Sequence, residues 1–255
     1  MKQNKKKKIF KRKKKSKIFK FYEKVVSKCY GKHEIVGLEN LPEDACIVVG
    51  NHAQINGPLF SAVQYPRKKR VWCIGEMFHF REVPSYAYKD FWSHKPKGIR
   101  WFYKILSYIV APILWYVNTG ADTIPVYKDT RGISTFKSSV EALKDGADII
   151  LFPECADKFN NIVNEFQDKY VDLAKIYYKN TQKEVCFVPM YNAPMLKKVV
   201  FGKPIKFNPN DTIENQRKVI CDYLKQQITM LAQELPEHTV VPYANIAKKD
   251  YPKSK

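Results

Sequence analysis

The feature that most constrains this chain is an alternation running from about residue 46 to residue 235. Short β-rich runs, each stopped by a proline or a polar residue, are separated by helix-length segments. Cys46–Val49, Val71–Ile74, Thr123–Tyr127, Asp148–Phe152 and Val185–Met190 read as buried strands by length and β-branching, and Lys198–Phe201 as a shorter one. Ser134–Lys144 predicts a helix with Ser134 as N-cap and Gly146 as its stop. Ile162, Phe166, Tyr170, Leu173 and Tyr177 trace another helical stripe, and Asp211 caps a long helix reaching about Leu235. Strands alternating with helices predict an α/β fold: a single domain, its mostly parallel sheet flanked by helices. With 255 residues, 45% of them hydrophobic, the chain is long and apolar enough for one substantial core.

Charge sets the N-terminus apart. The first 20 residues carry 12 basic side chains and no acidic one, so the remaining residues hold only +8 of the formal +20. Residues 1–16 are expected to form a disordered polybasic tail. Over residues 17–32 a basic amphipathic helix is expected, with Ile18, Phe21, Tyr22, Val25, Val26 and Cys29 on one face and Lys17, Lys20, Lys24 and Lys28 on another. Apolar area beside cationic charge suits an interfacial membrane anchor whose partner is anionic lipid; a solvated tail leading into an ordinary packing helix is the alternative. The apolar run Ile105–Val117 carries no charge but includes Pro112 and falls short of the about 20 residues a span needs. Either it lies in the membrane interface or it is a buried helix. No two of the six cysteines are spaced as a metal pair, no metal is expected, and a reduced location at the cytoplasmic face of a membrane fits them. Lysine outnumbers arginine 38 to 7 and no nucleic-acid motif is visible, so nucleic acid is the remote alternative and is not expected as a partner.

Chemistry concentrates at the strand ends. Gly50-Asn51-His52-Ala53-Gln54-Ile55-Asn56-Gly57 follows the first of the buried strands, and His is the side chain best suited to general-base work near neutral pH. Phe152-Pro153-Glu154 places a carboxylate past another strand. Ile124-Pro125-Val126-Tyr127-Lys128 places a cation past a third, with Arg131 close behind, and Val188-Pro189 ends a fourth. In a parallel sheet these ends face one crevice. Residues 236–255 read as a C-terminal tail.

These blocks, in this order, resemble the glycerophospholipid acyltransferase superfamily, typified by the 1-acyl-glycerol-3-phosphate acyltransferases, over about residues 33–235. The family's first motif is Asn-His, four residues and an Asp, matched at Asn51-His52. Its second is an Ile-Pro-Val-like strand closing in Arg, where this chain has Lys128. Its third is Phe-Pro-Glu-Gly-Thr-Arg, matched at Phe152-Pro153-Glu154, and its fourth ends in Val-Pro, matched at Val188-Pro189. The helix before the third block and Phe201-Gly202-Lys203-Pro204-Ile205 fit as well.

The resemblance implies a membrane-associated acyltransferase that needs no cofactor. It would move an acyl group from acyl-CoA or acyl carrier protein to a hydroxyl of a lysophospholipid or related amphipathic alcohol. His52 would be the base and Glu154 would help hold the acceptor. Asn51, Gln54, Asn56, Lys128, Arg131, Phe152 and Pro153 would line the substrate site.

Three departures bear on that expectation. Gly57 stands where the family has its Asp, Lys128 replaces the Arg, and Cys155-Ala156-Asp157 replaces Gly-Thr-Arg, leaving Arg131 or Lys158 as substitute phosphate ligands. Without the Asp, His52 is oriented by another carboxylate (Glu76 or Glu154), or neutrally by Asn56 or Gln54, or the site is inactive and only binds lipid.

Overall fold

The computed structural model describes residues 17–93, 95–120, 122–127 and 129–255. The polybasic segment 1–16 and Lys128 lie outside the described residues. Ten strands β1 (Glu34–Val36), β2 (Ile47–Gly50), β3 (Lys69–Ile74), β4 (Thr123–Val126), β5 (Asp148–Leu151), β6 (Glu154–Phe159), β7 (Asn164–Phe166), β8 (Cys186–Ala193), β9 (Lys198–Phe201) and β10 (Ile205–Lys206) are interleaved with seven helices among the described residues. The helices are α1 (Lys17–Tyr30), α2 (Asn56–Val63), α3 (Val83–Ala87), α4 (Arg100–Gly120), α5 (Gly132–Lys144), α6 (Asp172–Thr181) and α7 (Ile213–Glu234).

The main sheet runs in the order β1-β9-β8-β2-β5-β3-β4, with β10 on β8. The β8–β2–β5–β3–β4 stretch is parallel throughout, and β9 and β10 pair with β8 antiparallel. The expected single, mostly parallel α/β domain is therefore the observed fold.

Strand period explains the two cores. Ile47, Val49, Ile149 and Leu151 face α5, α6 and α7, where they meet Leu143, Leu173, Ala174, Leu224 and Ile228. The alternate residues Cys46, Val48, Ile150, Val188 and Met190 face Phe60 of α2 with Tyr65 and Phe201. Both faces of β2 are covered, which is why it reads as an unbroken apolar run. Between these layers Asp148 is fully buried, accepting from the Cys46 backbone N–H at 2.9 Å and the Tyr65 hydroxyl at 2.6 Å, with Arg67 Nε at 3.2 Å.

Three sequence expectations shift. The stripe expected as a helix from Ile162 begins instead as the β6–β7 hairpin, and only Asp172–Thr181 is α-helical. Asn160 is the cause: its Oδ1 accepts from the Ile162 and Val163 backbone N–H groups, and Asn161 takes φ 72, so a turn forms where the apolar spacing suggested a helix. Arg131, not Ser134, flanks α5, and the Ser134 hydroxyl bonds back to the Arg131 carbonyl. Thr212 caps α7 by accepting from Asn215 N, while Asp211 braces the Asn215 and Gln216 side chains.

The segment around Ile105–Val117 belongs to a longer helix, α4. Ser107 and Ala111 bury one face of it against α3 and the turn after β3, where Trp115 Nε1 donates to the Phe78 carbonyl. Its other face is apolar and exposed: Trp101 is 64% accessible, Tyr108 70%, and Ile105, Ile109 and Ile113 continue the stripe. Phe21 (70%) and Val25 of α1 are exposed likewise, while Phe19 turns inward and meets Tyr116 of α4. Among the described residues no helix is long and apolar enough to cross a membrane.

Replacing Asp148 by Ala strands the Cys46 N–H and the Tyr65 hydroxyl and removes the carboxylate partner of Arg67. The expected loss is about 3 kcal/mol or more, read as a lower urea midpoint at unchanged slope.

Candidate active site

The site is built where β2 ends. Parallel pairing sets β5 on one side, Val49 opposite Leu151, and β8 on the other, Gly50 opposite Met190. The chain leaving β2 therefore emerges between the chain leaving β5 and the continuing strand β8. Asn51 is buried and tied to β8: its Oδ1 accepts from Asn192 N at 2.7 Å and its Nδ2 donates to the Asn192 carbonyl at 3.1 Å. Its side chain supports the loop from beneath. On the other flank Glu154, also buried, accepts from the His52 backbone N–H and from Asn164 N at 2.9 Å. Glu154 reaches the backbone of the His52 loop, not the imidazole ring.

The ring finds a different partner. His52 Nδ1 bonds to the backbone carbonyl of Gln54. A carbonyl can only accept, so Nδ1 carries the proton and the neutral ring has its lone pair on Nε2. Of the arrangements open at Gly57, the neutral one at Gln54 is observed, made by the main chain. Glu76 follows β3, two strand positions from β2, roughly 10 Å away at sheet spacing.

Two consecutive left-handed residues, Ala53 (φ 45) and Gln54 (φ 55), curl the chain back far enough to present that carbonyl. Asn56 stabilises the curl, its backbone N–H and Nδ2 both donating to the Ala53 carbonyl at 3.0 and 2.9 Å. The Tyr30 hydroxyl of α1 donates to the Asn56 carbonyl, and burial pushes that phenol up to about 12.

Gly57 is required by packing. A β-carbon there would lie 2.6 Å from Phe152 Cε1 and 2.8 Å from the Asn51 carbonyl oxygen. The Phe152 ring that occupies this space also meets His52 edge-on, with centroids 5.4 Å apart. The loop is thus closed to an Asp at position 57 unless Phe152 and the backbone both move.

Of the expected cations, the described Arg131 and Lys158 lie elsewhere. Arg131 follows β4, three strand positions from β2 and roughly 14 Å away by sheet spacing. It is exposed, pairs with Asp129 at 2.8 Å and stacks on Tyr127. Lys158 lines a separate cleft of about 480 Å³ between the β6–β7 hairpin and α7, with Asn160, Glu165, Lys225 and Met230. Pro153 is buried, its carbonyl accepting from Gln167 N at 2.9 Å.

Residues 236–255, expected as a tail, pack over the His52 loop. Tyr243 meets the His52 ring edge-on with centroids 5.4 Å apart, and the Tyr251 hydroxyl lies 2.7 Å from Gln54 Nε2. Asn192, Asn164, Tyr243 and Tyr251 carry no recognisable motif; the one local hint is the apolar Val240-Val241-Pro242-Tyr243 run. No group of three or more His, Cys, Asp and Glu side chains among the described residues could hold a metal.

No family model matches the chain, and no curated protein matches it. Among solved structures it is similar to the 1-acyl-sn-glycerophosphate (LPA) acyltransferase PlsC from Thermotoga maritima. The match covers 86% of this chain and 81% of that one, at 17% identity and a TM-score of 0.51. A likeness at that identity shows a common fold.

Burial raises the Glu154 carboxyl from its ordinary 4.5 to about 7, against the pull of its two N–H donors. The native state therefore binds this proton more tightly than the unfolded chain does. The resulting stabilisation is complete below about 4.5 and is lost as the pH rises through about 7. Glu154→Gln keeps one acceptor but turns an amide N–H against the other donor, an expected cost of about 1–3 kcal/mol near pH 5. Because only the wild type ionises there, the gap between the two proteins should narrow at about pH 8. Urea titrations at both pH values check this. For Gly57→Asp, the clash with backbone predicts a loss of about 1–3 kcal/mol and no gain in any His52-dependent rate.

Proposed function

We propose that this chain is a glycerolipid-type acyltransferase that works peripherally at a membrane, with His52 as general base. The observation that carries the reading is the presentation of His52. It stands at the carboxyl end of a central parallel strand, in a fold like that of an acyltransferase, with Nδ1 engaged and the lone pair on Nε2.

In the proposed reaction Nε2 takes the proton of an acceptor hydroxyl as its oxygen attacks the thioester carbonyl of acyl-CoA or acyl carrier protein. The tetrahedral intermediate collapses, the C–S bond breaks, and the leaving thiolate takes the proton back from the imidazolium. An ester and a free thiol result, and no external proton or electron is consumed. Glu154, by holding the His52 amide, keeps the base at its post. The acceptor we infer is a lysophospholipid or a similar amphipathic alcohol.

Membrane attachment is supported by surface chemistry. The exposed apolar faces of α1 and α4 offer insertion area, and the lysine-rich N-terminus offers attraction to anionic lipid at the cytoplasmic leaflet. The packing at Gly57 favours a second reading, a lipid-binding relative without turnover, because the usual orienting Asp has no room.

Transfer from radiolabelled acyl-CoA or acyl carrier protein to lysophosphatidic acid or other lysophospholipids tests the proposal. The wild type is expected to form diacyl product, and His52→Ala to lose about 10²–10⁴-fold in rate; binding of lipid without product would favour the second reading. In vesicle co-sedimentation, binding should require anionic lipid and weaken as salt is raised. It should fall further in an Ile105→Ser/Ile109→Ser variant. Binding indifferent to both would place the attachment elsewhere.

A further inference from the structure

The His52 loop holds a conformation that its own sequence does not favour. Ala53 and Gln54 both sit in the left-handed region, which is unfavourable for a residue with a β-carbon because that carbon crowds the following carbonyl oxygen. Such strain persists where surrounding structure over-determines it. The bonds from Asn56 to the Ala53 carbonyl are local to the loop, and α1 adds one from outside, the Tyr30 hydroxyl to the Asn56 carbonyl. Gln54, whose carbonyl fixes the His52 tautomer, is held from outside. Its Nε2 donates to the Tyr251 hydroxyl at 2.7 Å and, more weakly, to the Ala244 carbonyl at 3.5 Å. Both partners belong to the C-terminal segment, about 190 residues away in sequence.

That segment is pinned at its base. Val240 N donates to the Pro252 carbonyl at 2.9 Å, Ser254 N to the His238 carbonyl at 3.0 Å, and Thr239 bridges Lys253 in antiparallel register. His238 is buried, its Nε2 2.8 Å from the Tyr191 hydroxyl on β8. Between these anchors the chain loops out and sets Tyr243 against the His52 ring and Tyr251 against Gln54. The His52 ring thus meets two aromatic rings edge-on, Phe152 from the β5 end and Tyr243 from the C-terminal loop, with centroids 5.4 Å away in each case.

We propose that residues 238–254 form a positioning strap for the candidate base. Through Gln54, Tyr251 holds the carbonyl that fixes the His52 tautomer, the task a carboxylate at position 57 would otherwise perform. Tyr251 and Gln54 act through His52 and are positioning residues. The inference rests on the acyltransferase reading for its kinetic consequence, but not for its structural one.

The test uses the full-length protein with Tyr251→Phe, Gln54→Ala and the double variant. Tyr223→Phe serves as control, since that hydroxyl, on α7, bonds the Lys203 carbonyl. The first readout is the ¹⁵N signature of the His52 imidazole, recorded at a pH above the ordinary imidazole range and assigned by its absence from His52→Ala. The wild type should show the Nδ1–H form. Each single variant should move toward a mixture of tautomers, and Tyr223→Phe should not.

The second readout is transfer kinetics. Each single variant should lower kcat about 10-fold with KM within about two-fold. The double variant should be no worse than either single one, because both cut the same link. A wild-type tautomer in both Tyr251→Phe and Gln54→Ala overturns the strap, whatever the activity. If the wild type transfers no acyl group, the proposed reaction fails while the tautomer still decides the strap. Should Tyr251→Phe fail to fold, Gln54→Ala, which removes a half-buried side chain, carries the same test.

Discussion

The structure turns on a buried carboxylate at a strand junction. Glu154 follows the end of β5 and grips the His52 backbone N–H in the loop leaving β2, while its other oxygen holds the β6–β7 hairpin through Asn164. Asn51 performs the matching task toward β8 by bonding the backbone of Asn192. Because β2 lies between β5 and β8, these two residues fasten its exit from both sides. Asn51, Asn192 and Glu154 are all buried, so a partner removed from any of them leaves a polar group unsatisfied in the interior. The burial that makes the grip firm also raises the Glu154 carboxyl to about 7.

That junction presents an imidazole oriented by main chain. In the resembled family a carboxylate at position 57 would take this role and would also stabilise the imidazolium electrostatically. Here Phe152 fills the space beside Gly57, and the loop curls through two left-handed residues to offer the Gln54 carbonyl instead. A carbonyl dipole supplies direction and a part of the electrostatic help, with less charge than a carboxylate. The arrangement needs rigidity more than the carboxylate version does, since a flexible carbonyl would let the ring turn. The neighbouring aromatic rings of Phe152 and Tyr243 supply that rigidity by packing.

The helices outside the sheet divide their surfaces in an unusual way. On α4 Ser107, Ala111, Leu114 and Trp115 face the protein, while Trp101, Ile105, Tyr108, Ile109 and Ile113 form an exposed apolar stripe where an ordinary surface helix is polar. On α1 Phe21 and Val25 point out while Phe19 reaches Tyr116. Large apolar side chains are thus exposed on two helices.

The fold was legible because its signals are local and redundant. Apolar runs at Cys46–Val49, Asp148–Phe152 and Val185–Met190, spaced by helix-length segments, admit little besides a parallel sheet. The hairpin at Asn160 was not legible because its apolar spacing also satisfies a helix; only the Asn side chain's bonds to backbone decide the turn. The sequence by itself determined the sheet, its apolar strands and the position of His52 at a strand end, since periodicity and strand ends need no distant partner. Tertiary structure alone decided that Gln54 orients His52, that Glu154 holds the backbone and not the ring, and that residues 236–255 close over the site. The contacts that hold this arrangement join residues about 100 to 190 positions apart, and no local pattern specifies which carbonyl, carboxylate or ring will meet once the chain has closed.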